Sequence, residues 1–146
     1  MKHPIHPMLV HFPIATWFLA TLADIASLFN SEQAGWVAGV LLVTGTITAL
    51  LAMTTGLMEL GKIDPQNPAA KIANQHMILV MISWSCYAVS LFFRLNGTQL
   101  EQPGLIAIAM SVIGFVFLCG AGWFGGKLVY EYGVGTHLSN RQNKLK

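Results

Sequence analysis

Gly35-Trp36-Val37-Ala38-Gly39-Val40-Leu41-Leu42-Val43-Thr44-Gly45-Thr46-Ile47-Thr48-Ala49-Leu50-Leu51-Ala52-Met53-Thr54-Thr55-Gly56-Leu57-Met58 runs without one charged side chain. Crossing the hydrocarbon core of a bilayer takes roughly 20 predominantly apolar residues in a helix. This stretch meets that length, and its small and β-branched residues show no strand alternation. Three other segments read the same way. Met8–Phe29 is interrupted only by Asp24, Met77–Phe93 carries Trp84 and Tyr87 among aliphatics, and Leu105–Gly126 is again uncharged. Backbone groups in lipid must be satisfied internally, so each segment is expected to be a helix. Composition agrees: 54% of the 146 residues are hydrophobic and 10% charged, with a mean hydropathy of +0.58. A soluble domain carries about 25% charged residues, so this chain lacks the polar surface that water requires.

Asn30-Ser31-Glu32, the Pro-rich Asp64-Pro65-Gln66-Asn67-Pro68, and the stretch bracketed by Asn96-Gly97-Thr98 and Pro103-Gly104 punctuate these runs. Four helices with short links predict a single all-α membrane domain over residues 1–146, an up-down-up-down bundle with both termini on one side. That side carries Lys2, Lys62, Lys71, Lys127, Arg141, Lys144 and Lys146, against Arg94 alone on the other. The positive-inside rule therefore predicts that both termini are cytoplasmic. The first apolar run is of full spanning length with no small-residue cleavage site after it, unlike a signal peptide. A net charge of +2 gives no reason to expect nucleic acid as a partner. Cys86 and Cys119 lie in apolar runs and form no CxxC or CxxCH motif, so they read as packing residues.

The five histidines are His3, His6, His11, His76 and His137. On this topology all of them fall at the cytoplasmic end. Ionisable groups at the edge of hydrocarbon are costly and usually face the bundle interior. Neutral imidazole is a strong ligand for haem iron, zinc and copper, and in bundles such ligands come from facing helices. His11, one turn inside the first helix, and His76, opening the third at matching depth, are the expected axial pair. His6 stands about 140° around an ideal helix from His11, so both face one point only if Pro7 and Pro13 distort the helix start. His3 and His137 are expected on the surface. Glu59, Asp64, Asn74, Tyr130, Glu131 and Tyr132 are candidate partners for a ligating imidazole, and Met8, Met58 and Met77 lie at the same end. At the other end Asp24 and Arg94 are expected to form an ion pair. The glycines of helices two and four either permit close helix contact or let a flat cofactor lie against backbone.

His3-Pro4-Ile5-His6-Pro7-Met8-Leu9-Val10-His11-Phe12-Pro13-Ile14-Ala15 and Gly122-Trp123-Phe124-Gly125-Gly126-Lys127-Leu128-Val129-Tyr130-Glu131-Tyr132-Gly133-Val134-Gly135 together resemble the bacterial four-helix membrane family catalogued as domain of unknown function 2231. The likeness extends over nearly the whole chain. Gly56-Leu57-Met58-Glu59 resembles that family's Gly-Leu-x-Asp step, with Glu59 in place of the acid, and Tyr132 stands where the family carries a histidine. Relatives joined to cytochrome-like modules imply a redox setting. Three expectations follow. The first is a haem b protein passing electrons between quinone or another membrane donor and a redox partner, with His11 and His76 axial and His6 a third candidate. The second is a non-haem site for zinc, copper or iron, serving sensing, storage or transport, that uses His6, His11 and His76 with Glu59 or Glu131. The third is a structural membrane subunit. The bilayer is a partner in every case, and a homo-oligomer is compatible with each.

Overall fold

The computed structural model describes residues 5–29 and 32–135. Within them lie four helices long and apolar enough to cross a membrane: Ile5–Ser27, Glu32–Leu60, Pro68–Phe92 and Leu105–Tyr130. His3 and His137 fall outside the described residues.

The first span is two pieces, α1 (Ile5–Leu9) and α2 (His11–Ser27), meeting at Val10. Pro13 has no N–H to offer the Leu9 carbonyl, which removes one rung of the ladder just where the helix breaks. The Val10 amide still reaches His6 O at 3.1 Å and the Ile14 amide reaches Val10 O at 3.2 Å, so the chain continues through the break. Pro7, in the first turn of α1, costs no helical hydrogen bond.

The second span, α3 (Glu32–Leu60), is continuous. The third, α4 (Pro68–Phe92), begins well before the expected Met77. Asn67 caps it, its side chain accepting from the Ala69 amide at 2.9 Å, and Pro68 takes the first helical position, where its missing N–H is harmless. The Pro-rich stretch is thus a start signal at its last two residues, and His76 lies two turns inside the helix instead of at its opening. A two-stranded hairpin, β1 (Leu95–Asn96) with β2 (Gln99–Leu100), turns at Gly97, whose φ of +62° suits glycine. The last span, α5 (Leu105–Tyr130), runs one turn past the expected Gly126.

Residue pairings run in opposite directions along the first span (α1 and α2) and α3, where a Cβ at Gly45 would meet Trp17 and one at Gly56 would meet His6. They do so again along α4 and α5, where Ser90 donates to Ala107 O at 2.7 Å and Ser83 to Gly114 O at 2.9 Å. These two pairs pack most extensively; the seams joining them, α3 to α4 and α2 to α5, are thinner. Trp17 and Tyr87 stack across the centre at 4.6 Å and 15°, over Leu42, Ala20 and Ala49. Small residues make that centre possible. A Cβ on Gly45 would sit 2.6 Å from Trp17 Cδ1, and one on Gly114 3.1 Å from the Tyr87 ring. Gly45→Val is accordingly expected to destabilise the bundle by about 1–3 kcal/mol through overpacking, read as a lower melting temperature with altered Trp fluorescence.

The end of the bundle near the hairpin is closed by charge. Arg94 donates to both carboxylate oxygens of Asp24, at 2.9 and 3.0 Å, and both side chains are 0% exposed. A second donation from Arg94 Nη2 to Ser90 Oγ at 2.9 Å ties in Ser111, whose hydroxyl lies 2.8 Å from that of Ser90. Thr21 and Tyr87 continue the polar layer, their hydroxyls 2.9 Å apart. The expected ion pair is therefore the head of a buried hydroxyl network joining α2, α4 and α5. Outside, large apolar side chains such as Leu22, Leu51, Ile78, Phe92 and Val116 are exposed on every helix face, the surface of a chain solvated by lipid.

Candidate functional site

At the opposite end the same seams open into a cavity of about 630 Å³. Its walls are mostly apolar, with Trp17, Phe18, Phe115, Leu118 and Val80 toward the centre of the bundle. Two histidines stand in these walls, His6 from α1 and His76 from α4.

Each imidazole is held in the same way. His6 Nδ1 lies 2.8 Å from Ala52 O, and His76 Nδ1 lies 2.8 Å from Ala121 O. A carbonyl only accepts, so Nδ1 carries a proton in both rings. In the neutral form of such a ring the lone pair is on Nε2, the atom that can bind a metal. Glycines set how close the rings lie to the neighbouring helices. A Cβ at Gly56 would stand 2.8 Å from His6 Cε1, and one at Gly125 3.2 Å from His76 Cε1. His6 is thus pressed on α3 and His76 on α5, one in each tight helix pair. Gly122 differs: a Cβ there would meet nothing, so this glycine leaves the cavity wall open.

His11 does not join them. It is exposed and absent from the lining, on the far side of the first span from His6. The break at Val10 does not bring His11 round to the cavity, so the pair lining it is His6 with His76. The imidazoles are oriented by backbone carbonyls and not by the acidic or phenolic residues expected to do so. Of those, Glu59 and Tyr130 line the cavity. Asp64 instead accepts from the Gln66 amide at 2.9 Å within its own loop, and Glu131 lies 3.5 Å from Lys127. Asn74 is exposed. Met77 lines the cavity together with Met53, while Met8 and Met58 are exposed. Among the described residues no group of three or more His, Cys, Asp or Glu side chains gathers to hold an ion.

The Tyr132-Gly133-Val134 stretch closes the cavity's end. Gly133 takes a φ of +64°, its amide reaches Val129 O at 3.1 Å, and the Val134 amide reaches Leu128 O at 3.0 Å. The Gly133 bond is that of an αL helix end, which favours glycine at the left-handed position. It folds Val134 back onto a cluster of Leu128, Ala69 and Ala73, with Leu60, Ile63 and Tyr132 packed around it. Tyr132 packs on that apolar plug and does not line the cavity.

Four membrane-length helices around a histidine-bearing apolar cavity define an integral membrane helix bundle. The chain belongs to the family described as predicted membrane protein (DUF2231), whose model matches residues 2–138. No curated protein and no solved structure matches it.

Proposed function

We propose that the chain is a haem b-binding membrane electron carrier in which His6 and His76 supply the axial nitrogens. The observation that carries this reading is the matched pair of imidazoles lining one cavity, each with Nδ1–H committed to a backbone carbonyl so that only Nε2 is left to ligate. Two neutral nitrogens from facing helices suit axial ligation, and ligand pockets commonly span about 300–1,000 Å³. The open backbone at Gly122 supports the fit of a flat ring, because no side chain projects there. Glu59 and Tyr130 are the polar groups available to its edge. Haem, when bound, supplies one-electron redox chemistry. The chain's own residues hold the nitrogens in position, exclude water with the Val134 plug, and surround the site with low dielectric.

A non-haem ion held by His6, His11 and His76 is less well supported, since His11 lies outside the cavity. The test is direct. Purified protein should show a Soret band that moves on reduction; a colourless protein with stoichiometric metal favours the non-haem site, and a colourless metal-free one a structural subunit.

Orientation belongs to the same proposal. Arg94 is buried in its ion pair, so the hairpin end offers no free Lys or Arg, while Lys62, Lys71 and Lys127 mark the histidine end. This supports a cytoplasmic membrane protein with its histidine end inside. A carboxy-terminal green fluorescent reporter should glow and an alkaline phosphatase fusion should be inactive; active phosphatase reverses the assignment.

A further inference from the structure

The cavity has two sides by which an occupant can arrive, and they differ in construction. The aqueous side is crossed by the apolar plug of Leu60, Ile63, Ala73, Leu128 and Val134. The other side is the seam between α2 and α5. Toward the hairpin this seam is zipped shut by the hydroxyl layer of Thr21, Tyr87, Ser90 and Ser111. Below that layer it parts. Phe115, Leu118, Cys119 and Gly122 recur at the 3-4-7 spacing of one helix face, and all four line the cavity. Ile14 and Phe18 do the same on α2, one turn apart.

Several of these lining residues are accessible. Phe18 is 43% exposed, and Ile14, Cys119 and Gly122 are exposed as well. The cavity wall is thus accessible along this seam, within the membrane-length stretch of the helices. Phe18 and Phe115 meet across the seam with ring centroids 5.6 Å apart, tilted by 37°, and form the upper edge of the gap.

We infer that the cavity opens laterally to the bilayer between α2 and α5, so that its occupant is a lipid-dissolved, flat or flexible amphiphile entering from the hydrocarbon phase. The apolar walls take its body, and the polar residues Glu59 and Tyr130 meet its polar edge. The inference rests on the reading of this cavity as a binding site, and it extends that reading from what is held to how it arrives.

Photolabelling from within the hydrocarbon separates the route from the identity of the occupant. Full-length protein from cells unable to make haem is placed in phosphatidylcholine nanodiscs and irradiated with an apolar aryl diazirine that partitions into the acyl chains. Met53 and Met77, on the cavity wall, should be labelled along with the lipid-facing Leu51 and Ile78. In Gly122→Trp, where the new side chain grows into open space at the seam, label on Met53 and Met77 should be lost and that on Leu51 and Ile78 kept. Cys119→Trp provides a second obstruction at the same mouth and should act alike. Unlabelled cavity walls in the unmodified protein, or labelling indifferent to both obstructions, overturn lateral entry. A protein that never takes up haem but shows seam-dependent labelling refutes the haem reading and leaves the route standing.

Discussion

His76→Ala is expected to remove the Soret band from the purified protein, or to cut haem occupancy at equal protein by tenfold or more. Loss of even an outer partner of a metal ligand typically costs about 10–100-fold in affinity, and a ligand itself should cost no less. His76 sits two turns inside α4, its Nδ1 2.8 Å from the Ala121 carbonyl, with its ring against Gly125. No other imidazole among the described cavity-lining residues stands on that side to take its place. His6→Ala should have the same effect from the opposite wall. His11→Ala provides the contrast: its side chain is exposed and outside the cavity, so the band should survive unchanged. Loss of the band in His11→Ala with retention in His6→Ala would restore the ligand pair that helix position alone suggests. Retention of haem in both His6→Ala and His76→Ala would dismiss this cavity as the haem site.

The second large effect lies at the other end. Arg94→Leu strands the Asp24 carboxylate at 0% exposure with both of its guanidinium contacts gone. Breaking a buried pair by removing one partner costs about 3–5 kcal/mol, because the remaining charge is uncompensated. A well-packed apolar replacement of both partners is often neutral, so Asp24→Leu with Arg94→Leu should recover most of the loss. Melting in mixed micelles reads both variants. If Arg94→Leu melts with the unmodified protein, the pair is not holding α2 to α4. The double variant has a limit, since Arg94 also donates to Ser90 Oγ at 2.9 Å. Ser90 keeps its bond to the Ala107 carbonyl at 2.7 Å, so the hydroxyl layer survives the exchange. Because the ion pair and the cavity occupy opposite ends, Asp24→Asn should weaken the bundle while leaving ligand absorption unshifted in whatever protein remains folded.

Asp24 and Arg94 were legible as a pair because a charge in hydrocarbon has few alternatives. Each is the lone charged residue near its helix end, and the topology brings those ends together. The histidines were legible only as a group. All could be assigned to one end, but which of them face inward depends on the rotation of each helix about its axis. That rotation is set by partners far along the chain: Gly56 and Ala52 for His6, Gly125 and Ala121 for His76. The start of α4 was misjudged for a local reason. A proline pair reads as a loop, although Asn67-Pro68 is also a strong capping sequence, and that signal was available. The plug was hidden in Gly133-Val134, where a glycine at a helix end announces a turn without saying where the next residue lands.

The apolar runs therefore determined by themselves that Gly35–Met58 and its three counterparts are membrane helices, since lipid demands internally satisfied backbone over a set length and tolerates little charge. Tertiary structure alone decided that His6 and not His11 lines one cavity with His76, and that a buried hydroxyl layer ties α2 to α4 and α5 toward the hairpin. Periodicity leaves helix rotation nearly undetermined when every face is apolar, as in this chain. Small residues and buried hydrogen bonds between helices choose the rotation, and they do so only once the helices have met.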